Sequence, residues 1–315
     1  MVVANENWGE MADGNPQPAF HAGQVIRSSL AHLAQALRSG AGAAGGVNRL
    51  LRRVFDGGMR PQPADGGAAA PSLTLDGVSA GYASQLAIEQ VSGHFAPGTL
   101  TAVIGPNGAG KSTLLNVLAG LARAQSGSIR IEGAEPATIG YLPQATAIER
   151  AYPISALEFA ALGRWREFGA FGTPPYELLP EVMAALQTVG LQDKATVQIS
   201  ELSIGQFRRL LFARLIVQRA RLVLLDEPFA AVDAQTTDDL LAVLRGWHEA
   251  GRTVIAVLHD IGQVRELFPF ALLLNRRVIA WDTTAIVLAP DTLAAAGMAS
   301  GRHDPRAGQL RLVPG

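Results

Sequence analysis

No cysteine occurs in the sequence, which excludes a disulfide framework and any metal site built on thiolates. No apolar run approaches the ~18 residues that a membrane-spanning helix needs, and the first residues lack the charged-then-apolar layout of a signal peptide. Lys and Arg total 26 against 27 Asp and Glu, so the net charge of −1 argues against a nucleic-acid-binding surface spread over the whole molecule. Hydrophobic residues make up 48%, which is enough for a large core. We expect a protein that is soluble or peripheral to a membrane.

The first 71 residues are rich in Gly, Ala and Pro, as in residues 40–46 (GAGAAGG). Such a composition buries too little apolar area to offset the entropy of ordering, so residues 1–71 are predicted to be a flexible, low-complexity segment. An alternative rests on charge, because six arginines and a single acid, Asp56, lie between His21 and Arg60. On that interpretation a basic amphipathic segment touches a membrane surface or a partner.

A glycine-rich turn joins an apolar β-type run, residues 101–104, to an apolar helical pattern that begins at Lys111. The spacing Gly105-x-x-x-x-Gly110-Lys111-Ser112 fits the P-loop pattern in full. Such a loop points successive backbone N–H groups at phosphate oxygens, and the following helix adds the positive end of its dipole. We therefore predict a nucleoside triphosphate site, in which Lys111 reaches the β- and γ-phosphates and Ser112 ligates Mg²⁺. The predicted nucleotide-binding residues of this segment are Gly105, Pro106, Asn107, Gly108, Gly110, Lys111, Ser112 and Thr113.

Two adjacent acids, Asp226 and Glu227, follow the apolar run 221–225 (RLVLL). The end of a buried strand is a costly place for carboxylates unless they face a cation or a reacting group. Beside a complete P-loop, Asp226 is predicted to hold the Mg²⁺ shell. Glu227 is predicted to act as the general base that polarises an attacking water.

Strand-like and helical patterns alternate from residue 72 onward, which predicts an α/β protein with a largely parallel sheet wrapped by helices. Two early strands, near residues 73–80 and 86–92, indicate an additional antiparallel layer. A helical insertion is predicted over residues 151–198. Further predicted strands lie at 100–104, 128–132, 138–142, 221–225, 253–258, 270–274 and 278–281, and predicted helices at 206–218 and 235–249.

These motifs resemble the ATP-binding subunits of ABC transporters over residues 73–288. The most diagnostic segment is Leu202-Ser203-Ile204-Gly205-Gln206, which is similar to the family signature LSGGQ and precedes a helix. The resemblance implies that Ser203, Gly205 and Gln206 contact the γ-phosphate of ATP held by a second subunit. Ile204 stands where the family usually has glycine. This difference is expected to change the detailed geometry of the phosphate contact more than the phosphate-binding role of the segment. Taken alone, the pentapeptide could be only a helix N-cap.

Four single positions extend the resemblance. Tyr82 matches the aromatic residue that stacks on adenine, and Gln144 matches the glutamine that senses Mg²⁺ and leads into the helical subdomain. Asp233 matches the acid of the D-loop, although Ala230 replaces the usual serine. His259 matches the switch histidine that contacts the γ-phosphate. The implied catalytic residues are Glu227, His259 and Gln144, and the implied Mg²⁺ ligands are Ser112, Gln144 and Asp226.

The resemblance implies a P-loop NTPase with a RecA-like parallel core, an antiparallel β layer and a helical subdomain at about 146–204. The ATPase domain is expected over residues 72–290, with a tail at 291–315. Each chain carries the P-loop half and the signature half of different sites, so the family pattern implies a homodimer closed by two ATP molecules. It also implies permease subunits at the cytoplasmic face of the inner membrane and, indirectly, a substrate-binding protein. The permease surface is expected beside Gln144 and the helices at 154–162, where exposed Phe159 and Trp165 could form a groove; ordinary core positions are an equal alternative for both aromatic residues.

In sequence style the chain is similar to ATPases of metal-cation importers, nearest to those of zinc. The segments that carry this likeness are residues 225–233 (LDEPFAAVD) and 257–260 (VLHD). Import of zinc is the expectation, with manganese or an iron chelate as alternatives. A soluble ABC ATPase that remodels ribosomes or DNA stays a second hypothesis, although the near-neutral charge fits it poorly. An interaction protein with an inactive ATPase is a third, against which the intact Lys111, Asp226, Glu227 and His259 argue.

Overall fold

The computed structural model describes residues 70–82, 85–133, 139–144, 150, 153–168, 174–230 and 232–298. The predictions for residues 1–69 and for the tail beyond residue 298 lie outside these ranges. The described chain forms two compact units. Of the described residues, one unit comprises 70–139, 222–228 and 251–298, and the other comprises 140–221 and 229–250.

The first unit contains a three-stranded antiparallel sheet in the order β2-β1-β4, with β1 at Ser72–Tyr82, β2 at Gln85–Phe95 and β4 at Ser126–Glu132. Leu73 pairs with Phe95 on one side and with Ile131 on the other. Leu73 and Leu75 of β1 are buried while Thr74 between them is exposed, because successive side chains of a strand point to opposite faces. This sheet confirms the predicted antiparallel layer.

The second sheet of this unit places β6, β7, β3, β8 and β9 side by side. Strands β3 (Leu100–Ile104), β6 (Leu222–Asp226), β7 (Thr253–Val257) and β8 (Phe270–Asn275) are parallel, and β9 (Arg277–Thr283) returns antiparallel to β8. Every residue of β3, β6 and β7 is buried, as expected for central strands covered on both faces. Because β6, β7 and β3 are neighbours and parallel, their carboxyl ends lie at one edge of the sheet.

The helices of this unit are α1 (Lys111–Leu118), α7 (Ile261–Leu267), α8 (Thr284–Val287) and α9 (Pro290–Ala295). Helix α1 directly follows the turn after β3, where the sequence predicts it. Helix α7 is not among the sequence predictions. Its N-cap is Asp260, whose side chain accepts hydrogen bonds from the backbone N–H groups of Gly262 and Gln263.

The other unit is mainly helical, with the short strand β5 at Gly140–Leu142. Its helices are α2 (Ala156–Ala161), α3 (Trp165–Phe168), α4 (Leu179–Thr188), α5 (Ile204–Gln218) and α6 (Ala234–Glu249). Helix α5 lies at the centre of this unit and packs against α2, α4 and α6. The stacked rings of Phe212 and Trp247, with centroids 5.9 Å apart, join α5 to α6.

The structure selects the core alternative for one of the two aromatic residues of the expected groove and the exposed alternative for the other. Phe159 is only 8% exposed, because it lies on the inner face of α2 and packs against Phe207 of α5 with ring centroids 5.6 Å apart. Trp165 is 45% exposed. None of the helices in the described ranges is both long enough and apolar enough to cross a bilayer.

Candidate functional site

The P-loop turn connects β3 to α1 and leaves no room for side chains at two of its glycines. A Cβ at Gly105 would lie 2.0 Å from the carbonyl oxygen of Leu274. One at Gly110, which has a φ of 91°, would lie 2.3 Å from the carbonyl oxygen of Ala87. Gly110 is also the N-cap of α1, and no side chain caps this helix. The N–H groups at the start of α1 are therefore available for an anion.

Lys111 is 6% exposed and lies against its own loop. Its Nζ donates hydrogen bonds to the carbonyl oxygens of Gly105 and Pro106, both at 2.9 Å. Burial lowers the pKa of Lys111, and the negative charges of Glu227 and Asp226 oppose that shift. The lysine thus lies at the base of the loop with two carboxylates near enough to affect its charge.

Ser112 and Asp226, which are 114 residues apart, meet at the carboxyl edge of the parallel sheet. The Ser112 Oγ donates to Oδ1 of Asp226 at 3.2 Å, and Asp226 is 2% exposed. Burial raises the pKa of Asp226 as the largest effect, while the hydrogen bond from Ser112 lowers it. A hydroxyl and a carboxylate at the start of the phosphate-binding helix are oxygen ligands of the kind that Mg²⁺ prefers. The donor set therefore fits this ion.

Glu227 and His259 form a pair beside this site. His259 Nε2 and Glu227 Oε1 are 2.8 Å apart, and the two residues follow the neighbouring strands β6 and β7. Glu227 has a φ of 51°, a left-handed conformation that is rare for a residue other than glycine. Such conformations are concentrated at functional sites, because they cost about 1–3 kcal/mol and need support from their surroundings. This edge of the sheet thus carries an anion-binding loop, a buried carboxylate and a carboxylate–imidazole pair.

Two of the predicted site residues lie at exposed positions. Tyr82 is the last residue of β1, and 62% of its surface is exposed. Gln144 is exposed two residues after β5 ends. Both positions leave the side chain accessible to a ligand.

The signature segment begins helix α5. Ser203 is the N-cap of α5, and its Oγ accepts from the Gln206 N–H at 3.1 Å while Gln206 Oε1 accepts from the Ser203 N–H at 3.0 Å. The segment is therefore a helix N-cap, as one interpretation of the sequence expected. This geometry does not decide whether the segment also contacts ATP held by a second subunit. A Cβ on Gly205 would meet no atom within 4 Å, and Ile204 is 56% exposed. Asp233 similarly caps α6 by accepting from Thr236 N at 2.8 Å.

The sequence patterns did not identify two sets of contacts. In the hairpin turn between β8 and β9, Arg276 donates its N–H to the carbonyl of Ala109 and accepts from the N–H of Glu89, at 3.0 and 2.8 Å. With a φ of 58°, Arg276 thereby ties the P-loop to β2. Arg150 contacts the backbone that leads into the signature. A turn between two predicted strands was the signal for Arg276, whereas nothing in the sequence pattern marks Arg150.

No cluster of three or more His, Cys, Asp or Glu side chains suited to a metal ion occurs in the described ranges.

Comparison with known proteins identifies the family. The ABC transporter family model matches residues 88–230. The manganese transport system ATP-binding protein MntB of Bacillus subtilis is 37% identical over 225 residues, covering 70% of this chain and 90% of the relative. The zinc transport system ATP-binding protein TroB of Treponema pallidum is 36% identical over 217 residues, covering 68% of this chain and 82% of the relative.

Solved structures share the fold. An ABC transporter assigned to the metal-chelate type, in an inward-facing conformation, has a TM-score of 0.64 and 28% identity, covering 72% of this chain and 89% of that chain. The dimeric ATP-binding cassette MJ0796, bound to ADP and Pi, has a TM-score of 0.60 and 24% identity, covering 67% of this chain and 98% of that chain. The P-loop, the Asp226–Glu227 pair, the signature segment and these matches together place the chain in the ABC transporter family, as an ATP-binding subunit and an ATPase.

Proposed function

We propose that the chain is the ATP-hydrolysing subunit of an importer for a divalent metal ion, with zinc as the first candidate. The observation that best supports ATP hydrolysis is the pair of His259 and Glu227, whose Nε2 and Oε1 atoms are 2.8 Å apart. This pair lies beside Lys111 and the Ser112–Asp226 contact. The metal class rests on the relatives, whose names assign them to manganese and zinc transport systems. Manganese is therefore the main alternative, and an iron chelate is a second.

In this proposal the phosphates of ATP bind over the loop 105–110, against the N–H groups at the start of α1. The Lys111 ammonium exchanges its two backbone carbonyl partners for β- and γ-phosphate oxygens. Tyr82 stacks on the adenine ring. Asn107 and Gly108 lie at the exposed top of the loop, where ligand contacts are expected. Pro106, Gly110 and Thr113 shape the loop and the first turn of α1.

Ser112, Asp226 and Gln144 would hold Mg²⁺, which when bound neutralises charge on the β- and γ-phosphate oxygens. Glu227 orients a water molecule and accepts its proton as the water oxygen attacks the γ-phosphorus. The bond from that phosphorus to the oxygen bridging to the β-phosphate breaks, leaving ADP and inorganic phosphate. His259 contacts the γ-phosphate and holds the Glu227 carboxylate in place, which is the arrangement that their hydrogen bond supports.

We further propose that two copies of the chain complete each site. The Ser203 hydroxyl, Gly205 and Gln206 of one copy face the γ-phosphate bound by the other, and Asp233 lies at the same interface. The exposed Ser203 and the open space over Gly205 support this role, because a partner can approach them closely. ATP then acts as a ligand with a higher affinity for the closed dimer, so that its binding and hydrolysis drive a conformational cycle.

The membrane partner is a pair of permease subunits at the cytoplasmic face of the inner membrane, reached through the subdomain at about 146–204 and served indirectly by a substrate-binding protein. Trp165 remains exposed in that region, although Phe159 does not. No nucleic acid is involved.

Metal accumulation tests the transport role. Cells that carry the chain with its permease should accumulate zinc, measured by elemental mass spectrometry. Replacement by Lys111→Ala should abolish the gain, and Lys194→Ala should retain it. A gain in manganese or iron alone would select an alternative metal. ATP hydrolysis without any change in metal content, and without recovery in membranes, would support the soluble ABC ATPase instead.

A further inference from the structure

Arg150 contacts the backbone that leads into the signature segment. Its Nη2 donates to the carbonyl oxygen of Leu202 and, at 3.4 Å, to that of Ile199. Ile199–Glu201 is a single 3₁₀ turn, and Leu202 follows it in an extended conformation just before Ser203. One planar guanidinium group thus binds the carbonyl group of the first residue of this turn and that of the residue after it.

The same guanidinium group also lies over the ring of Phe207, with its central carbon 5.0 Å from the ring centroid. Phe207 is 2% exposed and packs against Phe159 in the core. Leu202 directly precedes the segment from Ser203 to Gln206, and Phe207 directly follows it. Arg150 therefore contacts the residues that flank the segment from Ser203 to Gln206 on both sides.

We propose that Arg150 is a positioning residue for the signature, which holds Ser203 and Gly205 in the orientation that a second copy's ATP requires. This inference rests on the proposed composite site. The Ser203–Gln206 capping pair fixes the start of helix α5 locally, but it does not fix the direction from which the chain enters that helix. The hydrogen bond from Arg150 to the Leu202 carbonyl supplies this constraint. The contact with Phe207 fixes the guanidinium group relative to helix α5.

Arginine has the chemistry that this position needs. Its guanidinium is always charged, has several donors in one plane and stacks on an aromatic face. A lysine keeps the charge and its ammonium can still donate to carbonyl groups, but it has no planar group that can lie over the Phe207 ring in a fixed orientation. Lysine at this position should therefore restore only part of the function.

ATP-driven dimerisation of the full-length chain in the Glu227→Gln background tests this inference. Arg150→Ala should raise the protein concentration for half-maximal dimerisation at saturating ATP by about tenfold or more, because two charge-assisted hydrogen bonds and a cation–π contact are lost. Arg150→Lys should give an intermediate shift. The affinity of the monomer for a fluorescent ATP analogue, measured below the dimerising concentration, should not change.

Arg219→Ala is the matched control. Arg219 is the C-cap of the same helix, at the end opposite the signature, and its Nε lies 2.7 Å from Glu181 Oε1. Its replacement therefore removes an arginine and its ion pair without changing a contact of the signature. The control should dimerise as the parent does. The inference is contradicted if Arg150→Ala dimerises as Arg219→Ala does. A joint fall in thermal stability and monomer nucleotide affinity would assign Arg150 to folding alone, and Arg150→Lys decides the case if the alanine variant does not fold.

Ser203→Ala separates failure of this inference from failure of the proposed function. If Ser203→Ala weakens dimerisation and Arg150→Ala does not, only the role of Arg150 is wrong. If neither the parent nor any variant dimerises with ATP, the composite site itself is wrong, and the proposed role of Arg150 falls with it.

Discussion

His259 Nε2 lies 2.8 Å from Glu227 Oε1, although the two residues are 32 positions apart in the chain. The neighbouring parallel strands β6 and β7 bring them together, because each residue follows its strand at the same edge of the sheet. Glu227 also has a left-handed backbone conformation, which directs its side chain away from the path that the strand would give it. The hydrogen bond to His259 and this backbone turn together define where the carboxylate can act.

Glu227→Gln should reduce ATP turnover by about 10²–10⁴-fold, the range typical of losing a general base. The amide keeps the size of the side chain and can still contact His259, so we expect the variant to fold and to bind ATP. Steady-state release of inorganic phosphate measures the change. Glu132→Gln, an exposed acid at the end of β4 in the same unit, is the control and should keep normal turnover.

Lys111→Ala should weaken ATP binding by about tenfold to a hundredfold, since hydrogen bonds to charged groups contribute about 1.5–3 kcal/mol. Fluorescence titration with an ATP analogue measures the affinity. The chain has a single other lysine, Lys194, which is exposed on the 3₁₀ turn Gln192–Lys194. Lys194→Ala should bind ATP normally, and equal losses in both variants would show that the effect is not specific to the P-loop.

Gly205→Ala should impair function without harming the fold. A Cβ at this position meets no atom within 4 Å, and alanine favours the helical conformation over glycine by about 0.5–1 kcal/mol. We therefore expect an unchanged or higher melting temperature, together with weaker ATP-dependent dimerisation and turnover. Normal turnover in this variant would contradict close approach of a second copy's nucleotide to Gly205.

Gly110→Ala, in contrast to Gly205→Ala, should lower the stability of the fold. Its Cβ would lie 2.3 Å from the Ala87 carbonyl oxygen at a φ of 91°, so the loop must shift or strain. Thermal stability and ATP affinity should fall together. A variant that melts and binds ATP as the parent does would show that the described loop conformation is not required.

Asp233→Asn should make acid unfolding less dependent on pH. Hydrogen bonds from the Thr236 N–H and hydroxyl groups lower the pKa of Asp233 in the folded protein. Because the folded-state pKa is the lower one, the ionised group stabilises the fold above the ordinary aspartate pKa of about 3.9. That contribution is lost as the pH falls through the folded-state pKa. Thermal melts between about pH 5 and pH 2 should show a shallower slope for the variant, and an unchanged slope would contradict this role of the charge.

Residues close together in sequence were predictable, and contacts between distant segments were not. The strand, glycine turn and helix around Lys111 follow from local pattern, as does Asp226 at the end of an apolar strand. The Ser112–Asp226 contact needs the strand order of the sheet, which periodicity does not supply. The left-handed conformation of Glu227 has no sequence signal, because glutamate rarely adopts it.

Burial on short helices was also difficult to predict. The sequence left an exposed and a buried position equally open for Phe159, because its packing on Phe207 depends on how α2 meets α5. Helix α7 has only seven residues, so its apolar periodicity is too short to detect, although Asp260 before Gly262 and Gln263 is a helix-cap signal. Arg150 was missed because the backbone carbonyls that it binds leave no mark in the sequence.

The mass of the Glu227→Gln variant in solution, measured by analytical ultracentrifugation with and without ATP, tests the central claim most directly. The proposed composite site predicts a monomer without nucleotide and a stable dimer with ATP, and it predicts that Ser203→Ala weakens this dimer. A variant that stays monomeric at saturating ATP, or that still hydrolyses ATP at the parent's rate, would contradict the account.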